Sequence, residues 1–391
     1  MGLECMTNKK RKVMILGCSG SIGTSALRGL GRFSDLFELV AVSVHHNVEA
    51  GYAVARQWPL KAICISSDDL CEPMTQDVRV YRGAQGLLDM IRDTEADVVL
   101  NAIMGTAGLE ATFAAIESHK DVALANKESI VMAGNLVLDA AKRNDVRIIP
   151  VDSEHAALDA LIRAHGKQAV KTLVLTASGG PFRTLEASKF DSITIKQALS
   201  HPTWSMGKKI SIDSATLANK GLELIEAAIL FGIPSDCIEV VIHPQSIVHS
   251  LIRTVDGALY GQISRPDMVH PIMMALGRDL PLLKDVIMPL DLHDLSLSFS
   301  TLDQGRFPMV TYAKRCIDLG NSYPIAFTIA NEYAVDLFLG GTIRFPAISK
   351  IVERVLDYDW SHRCLSVESI TACSRHVREI TESVADAFIG V

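Results

Sequence analysis

The chain has 391 residues, 48% of them hydrophobic, with a formal net charge of −7. That length implies two or three domains around a sizeable core, and an acidic balance without a basic block excludes nucleic acid as the main partner. No apolar run reaches the ~18 residues of a membrane span. The start, MGLECMTNKKRK, lacks an apolar signal core, and Met6 stands where a myristoylation signal needs Ser or Thr. Lys9, Lys10, Arg11 and Lys12 read as a solvated leader before the first strand. The cysteines at 5, 18, 64, 71, 237, 316, 364 and 373 form no CxxC and no even framework, so they read as reduced thiols of a cytoplasmic compartment.

The apolar run Val13–Leu16 ends in Gly17-Cys18-Ser19-Gly20-Ser21-Ile22-Gly23, and a helix follows through Leu27 and Leu30. Strand, glycine turn and helix in that order make a phosphate-cradling unit. The glycines let backbone approach a pyrophosphate, and the helix start favours its charge. The spacing is GxxGxxG, a weak signal by itself. Further strand-like runs at 37–44, 62–65, 97–103, 122–125 and 147–151, with helices between, supply the context. This rhythm predicts a doubly wound parallel sheet, an α/β Rossmann-like domain over residues 1–150. The second strand runs into Val44-His45-His46-Asn47 with no acid before Glu49, which favours NADPH over NADH. His46 is a candidate for the 2′-phosphate; the alternative is that both histidines are plain surface residues. Ala125-Asn126-Lys127-Glu128-Ser129 closes another strand, at the edge where such sheets bind ligands. Helix capping would explain Asn126 and Glu128 but gives Lys127 no role.

Val151-Asp152-Ser153-Glu154-His155 follows. In extended backbone Asp152 and Glu154 project to one side, where two carboxylates suit Mg²⁺ or Mn²⁺. Glu223 or Glu226 could add a ligand; the alternative is capping. A strand at 173–177 leads into Ser178-Gly179-Gly180-Pro181, which suits an anion or an ordinary turn. The first half of the stretch 201–226 reads as a loop, with Pro202, Gly207, Lys208 and Lys209 around Trp204. From Ser214 or Thr216 the apolar Leu222, Ile225 and Ile229 predict a helix, with Asn219, Glu223 and Glu226 on a polar stripe. Runs at 240–250 and 258–263 predict a second sheet with an apolar character that suits a dimer interface. Their His243 and His249 read as structural histidines. These elements make an α+β catalytic and connective domain over 151–283. Residues 284–308 read as a linker. Helical patterns at 310–319, 324–339, 347–356 and 366–387 predict a small helical domain over 309–391.

GCSGSIG (17–23), ANKES (125–129), VDSEH (151–155), ASGGPF (177–182) and HPTWSMGKKISIDSATLANKGLELIEA (201–227) share their order and wording with one family. Extended by HPQSIVHS (243–250) and RPDM (265–268), the chain after Lys12 closely resembles the 1-deoxy-D-xylulose 5-phosphate reductoisomerases. That family converts this sugar phosphate to 2-C-methyl-D-erythritol 4-phosphate in non-mevalonate isoprenoid biosynthesis. The resemblance implies a homodimer that uses NADPH and Mg²⁺ or Mn²⁺. It implies that Asp152, Glu154 and Glu223 ligate the cation, and that Ser178, Ser214, Asn219 and Lys220 hold the substrate phosphate. Lys127, Ser153 and His201 would contact the substrate's oxygen-bearing carbons. Residues 201–211 would form a lid, with Trp204 closing it. Ser19, Gly20, Ser21, Ile22, Asn47, Asn126, Glu128 and Gly207 would touch NADPH beside Gly17. Two departures stand out: Cys18-Ser19 where Ser-Thr is usual, and His45-His46 where a small and then a basic residue are usual. The other readings are an NADP-dependent dehydrogenase that reduces a small aldehyde without rearrangement, which needs no carboxylate triad, and a non-catalytic cofactor sensor.

Overall fold

The computed structural model describes residues 9–67, 78–201, 203–204, 206–281 and 283–390. The first residues of the expected leader, Cys5 and Cys71, and Pro202 and Ser205 of the expected lid lie outside the described residues. The chain opens with β1 (Arg11–Leu16), α1 (Ser21–Arg32), β2 (Phe37–Val44), α2 (Val48–Gln57) and β3 (Ala62–Ile65). Then come β4 (Arg79–Arg82), α3 (Gly83–Asp93), β5 (Val98–Asn101), α4 (Gly108–Glu117), β6 (Asp121–Leu124), α5 (Lys127–Arg143) and β7 (Ile148–Pro150). The middle holds α6 (Ser153–His165), β8 (Val170–Ala177), α7 (Ile195–Ala198), α8 (Lys208–Thr216), α9 (Ala218–Phe231), β9 (Ile238–Ile242), β10 (Val248–Thr254), β11 (Leu259–Ile263) and α10 (Val269–Leu276). It closes with β12 (Ser300–Thr301), α11 (Met309–Leu319), α12 (Tyr323–Leu339), α13 (Phe345–Leu356) and α14 (Val367–Ala385).

Two compact units emerge, and neither is continuous in sequence. The first takes the chain up to Asn126, Val137–Ala156 and Asp267–Pro289; the second takes Lys127–Leu136, Ala157–Pro266 and the chain from Leu290. The expected boundaries after 150, 283 and 308 follow chain order, whereas contacts interleave the segments.

The first unit is built on a seven-stranded sheet in the order β4-β3-β2-β1-β5-β6-β7. Every neighbouring pair in it is parallel. Val13, Met14, Ile15 and Leu16 are fully buried. A continuous apolar run replaces alternation because a parallel sheet of this kind is covered on both faces. Each such side chain contributes roughly 1.5–3 kcal/mol when fully buried. Strand order reverses between β1 and β5, which places the ligand crevice beyond their carboxyl ends. α10 packs on α1 at Gly29, where a Cβ would meet the Met273 sulfur at 2.4 Å. The short edge strand β4, RVYR, has no counterpart in the expected pattern. Its arginines suit a solvated edge and hide it from an apolar-run search.

The second unit carries a mixed sheet, β11-β10-β8-β9-β12. β8 pairs parallel with β9 and antiparallel with β10. The expected linker is corrected here: its Ser300 and Thr301 pair with Ile242 and Val241 as the edge strand β12. A polar two-residue strand is held by backbone bonds alone and leaves no periodicity to read. His243 is structural. Its Nε2 accepts from the backbone N–H of Ile247 and Val248 at 3.2 and 3.1 Å, and its Nδ1 lies 2.9 Å from the Ser298 carbonyl. The four C-terminal helices fall where expected. In α14, Ile370, Cys373, Val377, Thr381 and Ala385 form one buried stripe after a Ser366/Ser369 capping box.

The helix expected from Ser214 or Thr216 is also corrected. α8 starts at Lys208 behind an exposed Gly207, runs to Thr216, and breaks at Leu217 (φ 61°) before α9 begins. KKISIDSAT has no apolar stripe, so spacing cannot reveal it. A left-handed Leu costs roughly 1–2 kcal/mol, and the buried surroundings of Leu217, itself 3% exposed, hold it there.

Candidate active site

In the first unit the glycine turn sits at the end of β1. Gly17 has φ +81°, and a Cβ on it would lie 2.9 Å from the Ala102 carbonyl oxygen beyond β5. A Cβ on Gly23 would lie 2.5 Å from both Cys18 Cα and the Gly17 oxygen. Only glycines allow α1 to start this close to the strand. The backbone N–H groups of Gly17 and Cys18 donate to the Ser43 carbonyl at 3.1 and 2.9 Å, tying the turn to β2. α1 has no side-chain cap and no acid in its first turn, so Ser19, Gly20, Ser21 and Ile22 surround a helix start open to an anion. Cys18 is buried and its thiol is pushed up to about 12 by desolvation, which makes it packing rather than chemistry.

His45, His46 and Asn47 are exposed just past β2. The rings of His45 and His46 lie 4.1 Å apart, and His45 Nδ1 is 3.0 Å from Ser66 Oγ. Asn47 caps α2 by accepting from the Ala50 N–H at 3.1 Å. Asn126 is 2% exposed, and its amide donates to the carbonyls of Ile103 at 2.8 Å and Gly105 at 2.6 Å.

Asp152 and Glu154 also belong to this unit. Extended backbone does not bring them together: Ser153 opens α6, and Glu154 lies in its first turn. The Glu154 N–H donates to the Asp152 carboxylate at 3.3 Å, and the Ser153 hydroxyl donates to the Glu154 carboxylate. His155, fully buried, places Nδ1 3.4 Å from Asp152 Oδ1. The sequence marked His155 only as part of a motif; here its ring lies against the Asp152 carboxylate.

In the second unit, Lys127, Asn219, Lys220 and Glu223 converge. Glu223, on α9, is 1% exposed. Lys127, the first residue of α5, donates to Asn219 Oδ1 at 2.9 Å and to Glu223 Oε1 at 3.1 Å. The Lys220 ammonium and the Asn219 amide donate to the same carboxylate. Helical spacing produces this arrangement, since 219, 220 and 223 share one face of α9. Glu226 is 1% exposed one turn further on.

At the end of β8, Ser178 Oγ lies 3.1 Å from His201 Nε2 and accepts from the Gly180 N–H at 3.3 Å. Gly180 has φ +66°, and a Cβ there would sit 2.6 Å from the Ser214 carbonyl oxygen. That close approach brings the β8 turn to the end of α8. His201 Nδ1 accepts from the N–H groups of Thr203 and Trp204 at 3.1 and 2.9 Å. This fixes the neutral tautomer with Nε2–H toward Ser178, and burial holds the imidazole below its ordinary pKa.

One group escaped the sequence. Lys209 lies 2.8 Å from Asp213 and 3.4 Å from Glu128. Burial pulls its ammonium down, but Asp213 and Glu128 outweigh that and hold it above its ordinary value. Asn331 Nδ2 donates to Asp213 Oδ1 at 2.7 Å. Glu128, expected at the cofactor, thus joins a cluster that locks α8. The i,i+4 spacing of Lys209 and Asp213 was the available signal.

A parallel sheet with a glycine turn at its switch point defines a nucleotide-binding α/β protein, and the second unit carries a buried lysine–carboxylate cluster of the kind found in enzymes. Family models agree. The 1-deoxy-D-xylulose 5-phosphate reductoisomerase model matches residues 13–134, its C-terminal domain model 148–231, and the DXP reductoisomerase C-terminal domain model 263–380. The Treponema pallidum reductoisomerase is 44% identical over 370 residues, 94% of this chain and 96% of that protein. That of Geotalea uraniireducens is 40% identical over 378 residues, 94% and 97%. Among solved structures, the Zymomonas mobilis reductoisomerase in complex with NADPH superposes with TM-score 0.90 at 37% identity, covering 97% of this chain and all of that one. A reductoisomerase complex with NADPH, fosmidomycin and magnesium gives 0.89 at 37% identity, covering 96% and 98%. The chain belongs to the 1-deoxy-D-xylulose 5-phosphate reductoisomerase family, and it is an NADP-dependent oxidoreductase and isomerase.

Proposed function

We propose that this chain converts 1-deoxy-D-xylulose 5-phosphate to 2-C-methyl-D-erythritol 4-phosphate, with NADPH on the first unit and Mg²⁺ or Mn²⁺ on Asp152, Glu154 and Glu223. The donor chemistry fits: all three are carboxylates, hard oxygen ligands of the kind these cations take. The observation that carries the reading is the buried Lys127–Asn219–Lys220–Glu223 cluster, polar chemistry that a packing helix does not need. When bound, the cation supplies Lewis-acid stabilisation of developing negative charge and NADPH supplies the hydride.

The chain's own groups supply the rest. Lys127, buried and held by two bonds, adds fixed positive charge beside the reacting oxygens, and Ser153 and His201 contact the same oxygen-bearing carbons. Asn219 and Lys220, in the first turn of an uncapped α9, grip the phosphate with Ser178 and Ser214. That grip on a remote group orients the reacting carbons. His201 holds the backbone of Trp204; of the lid expected over 201–211, the part from Lys208 on is α8, and the part before it serves as the lid that excludes water. Ser19 to Ile22, Asn47, Asn126 and Gly207 contact NADPH, with His46 toward its 2′-phosphate.

A homodimer and a cytoplasmic location complete the reading. β11 supports the dimer: it is an edge strand with Leu259 51%, Tyr260 40% and Ile263 48% exposed, an apolar edge that favours pairing. Glu223→Gln tests the site. It should lower kcat by about 10–100-fold, as loss of a group at a metal site does, and leave NADPH affinity within about twofold, measured by nicotinamide fluorescence. Unchanged turnover would remove Glu223 from the cation site.

A further inference from the structure

We propose that His362, Cys364 and Cys373 form a binding site for a thiophilic divalent cation of the zinc type at the start of α14. One donor atom from each lies within 4.8 Å of the others. The set is one imidazole and two thiols, with no carboxylate. It is therefore the chemical opposite of the Asp152, Glu154 and Glu223 set, and it selects a soft or borderline cation over Mg²⁺. Three protein donors leave a fourth position for solvent; His362 is exposed and Cys373 is 5% exposed.

The donors are held from a second layer. Ser322 is fully buried at the start of α12. Its N–H donates to the Trp360 carbonyl at 3.1 Å, and its hydroxyl donates to the His362 carbonyl at 2.7 Å and lies 3.4 Å from Cys364 Sγ. Trp360, 1% exposed, donates to the Val355 carbonyl at 2.7 Å. These bonds hold the segment carrying His362 and Cys364 in place, and Cys373 stands on the buried stripe of α14. Rigid support of this kind turns neighbouring donors into a site. Cation binding would release the two thiol protons to solvent, including the one Cys364 now donates to the Ser369 carbonyl at 3.5 Å. The bound ion would clip the 360–366 segment to α14.

Cobalt(II) is the probe, added to the full-length chain kept reduced by a phosphine. A near-ultraviolet thiolate-to-cobalt charge-transfer band is expected, one ion per chain, displaced by zinc(II). Carboxylates give no such band, so Glu223→Gln should keep it. Cys364→Ser and Cys373→Ser should each lose it, together with the rise in melting temperature that zinc gives the parent chain. Cys364 is half-buried, so its variant reads the site even where Cys373→Ser disturbs folding. Absence of the band while both thiols react with a thiol reagent would overturn the proposal. So would a band that survives both serine variants, or oxidation to a Cys364–Cys373 disulfide without any cobalt band.

Discussion

Gly23 has no room for a methyl group. Its Cβ would press on the Cys18 Cα and the Gly17 carbonyl at 2.5 Å, atoms of backbone that cannot swing aside. Gly23→Ala must therefore push α1 away from the turn, at about 1–3 kcal/mol for overpacking. The weaker cofactor grip should appear as a raised KM for NADPH with the substrate KM little changed; an unaltered cofactor KM would mean that the turn does not bind the nucleotide. Chemistry-bearing residues of this kind were legible in the sequence because their signals are local: glycines before a helix, Asn-Lys-Glu after a strand, and Asn219, Glu223 and Glu226 recurring at i, i+4 and i+7. Pairing across the chain was not. Lys127 meets Asn219 and Glu223 across more than 90 positions, and Lys209 meets Glu128 across 81. The extended-backbone argument for Asp152 and Glu154 failed because Ser153 opens a helix, where two residues apart means a different face. Their convergence rests on the Glu154 N–H reaching back to Asp152 instead.

At the scale of elements, the segment between His201 and α8 depends on an unprotonated imidazole. His201 Nδ1 can accept from Thr203 and Trp204 only while neutral. Burial lowers its pKa below the ordinary 6.5, so the unfolded or open chain binds the proton more readily. Stability of the closed arrangement therefore rises with pH up to about 6.5, and is lost as pH falls through the lowered value. The substrate KM measured from about pH 5 to 8, the range in which histidine titrates, should climb on the acid side and level off near neutrality. His201→Asn should flatten that limb, because an amide oxygen accepts the same bonds without titrating. A limb equally steep in the variant would assign it to another group. Strong periodicity made α9 and the C-terminal helices readable. α8 was not, because its KKISIDSAT face carries ions and hydroxyls that only the tertiary partners Glu128 and Asn331 explain.

At the scale of the whole molecule, the parallel sheet was legible from its alternating rhythm of strands and helices. The grouping of segments was not, since residues 267–289 join the first sheet unit through contacts such as Gly29 on Met273 that leave no local mark. The dimer should show in light scattering as twice the 42.5 kDa chain mass. Ile263→Lys, which places a charge on the exposed apolar edge of β11, should shift it toward monomer; a monomeric parent chain would overturn this reading. The central claim is tested most directly by following the loss of NADPH absorbance with 1-deoxy-D-xylulose 5-phosphate as substrate. Turnover with Mn²⁺ that stops on adding EDTA, with 2-C-methyl-D-erythritol 4-phosphate as the product, is the expected result. Absence of turnover with Mn²⁺ present, or turnover indifferent to EDTA, would contradict it.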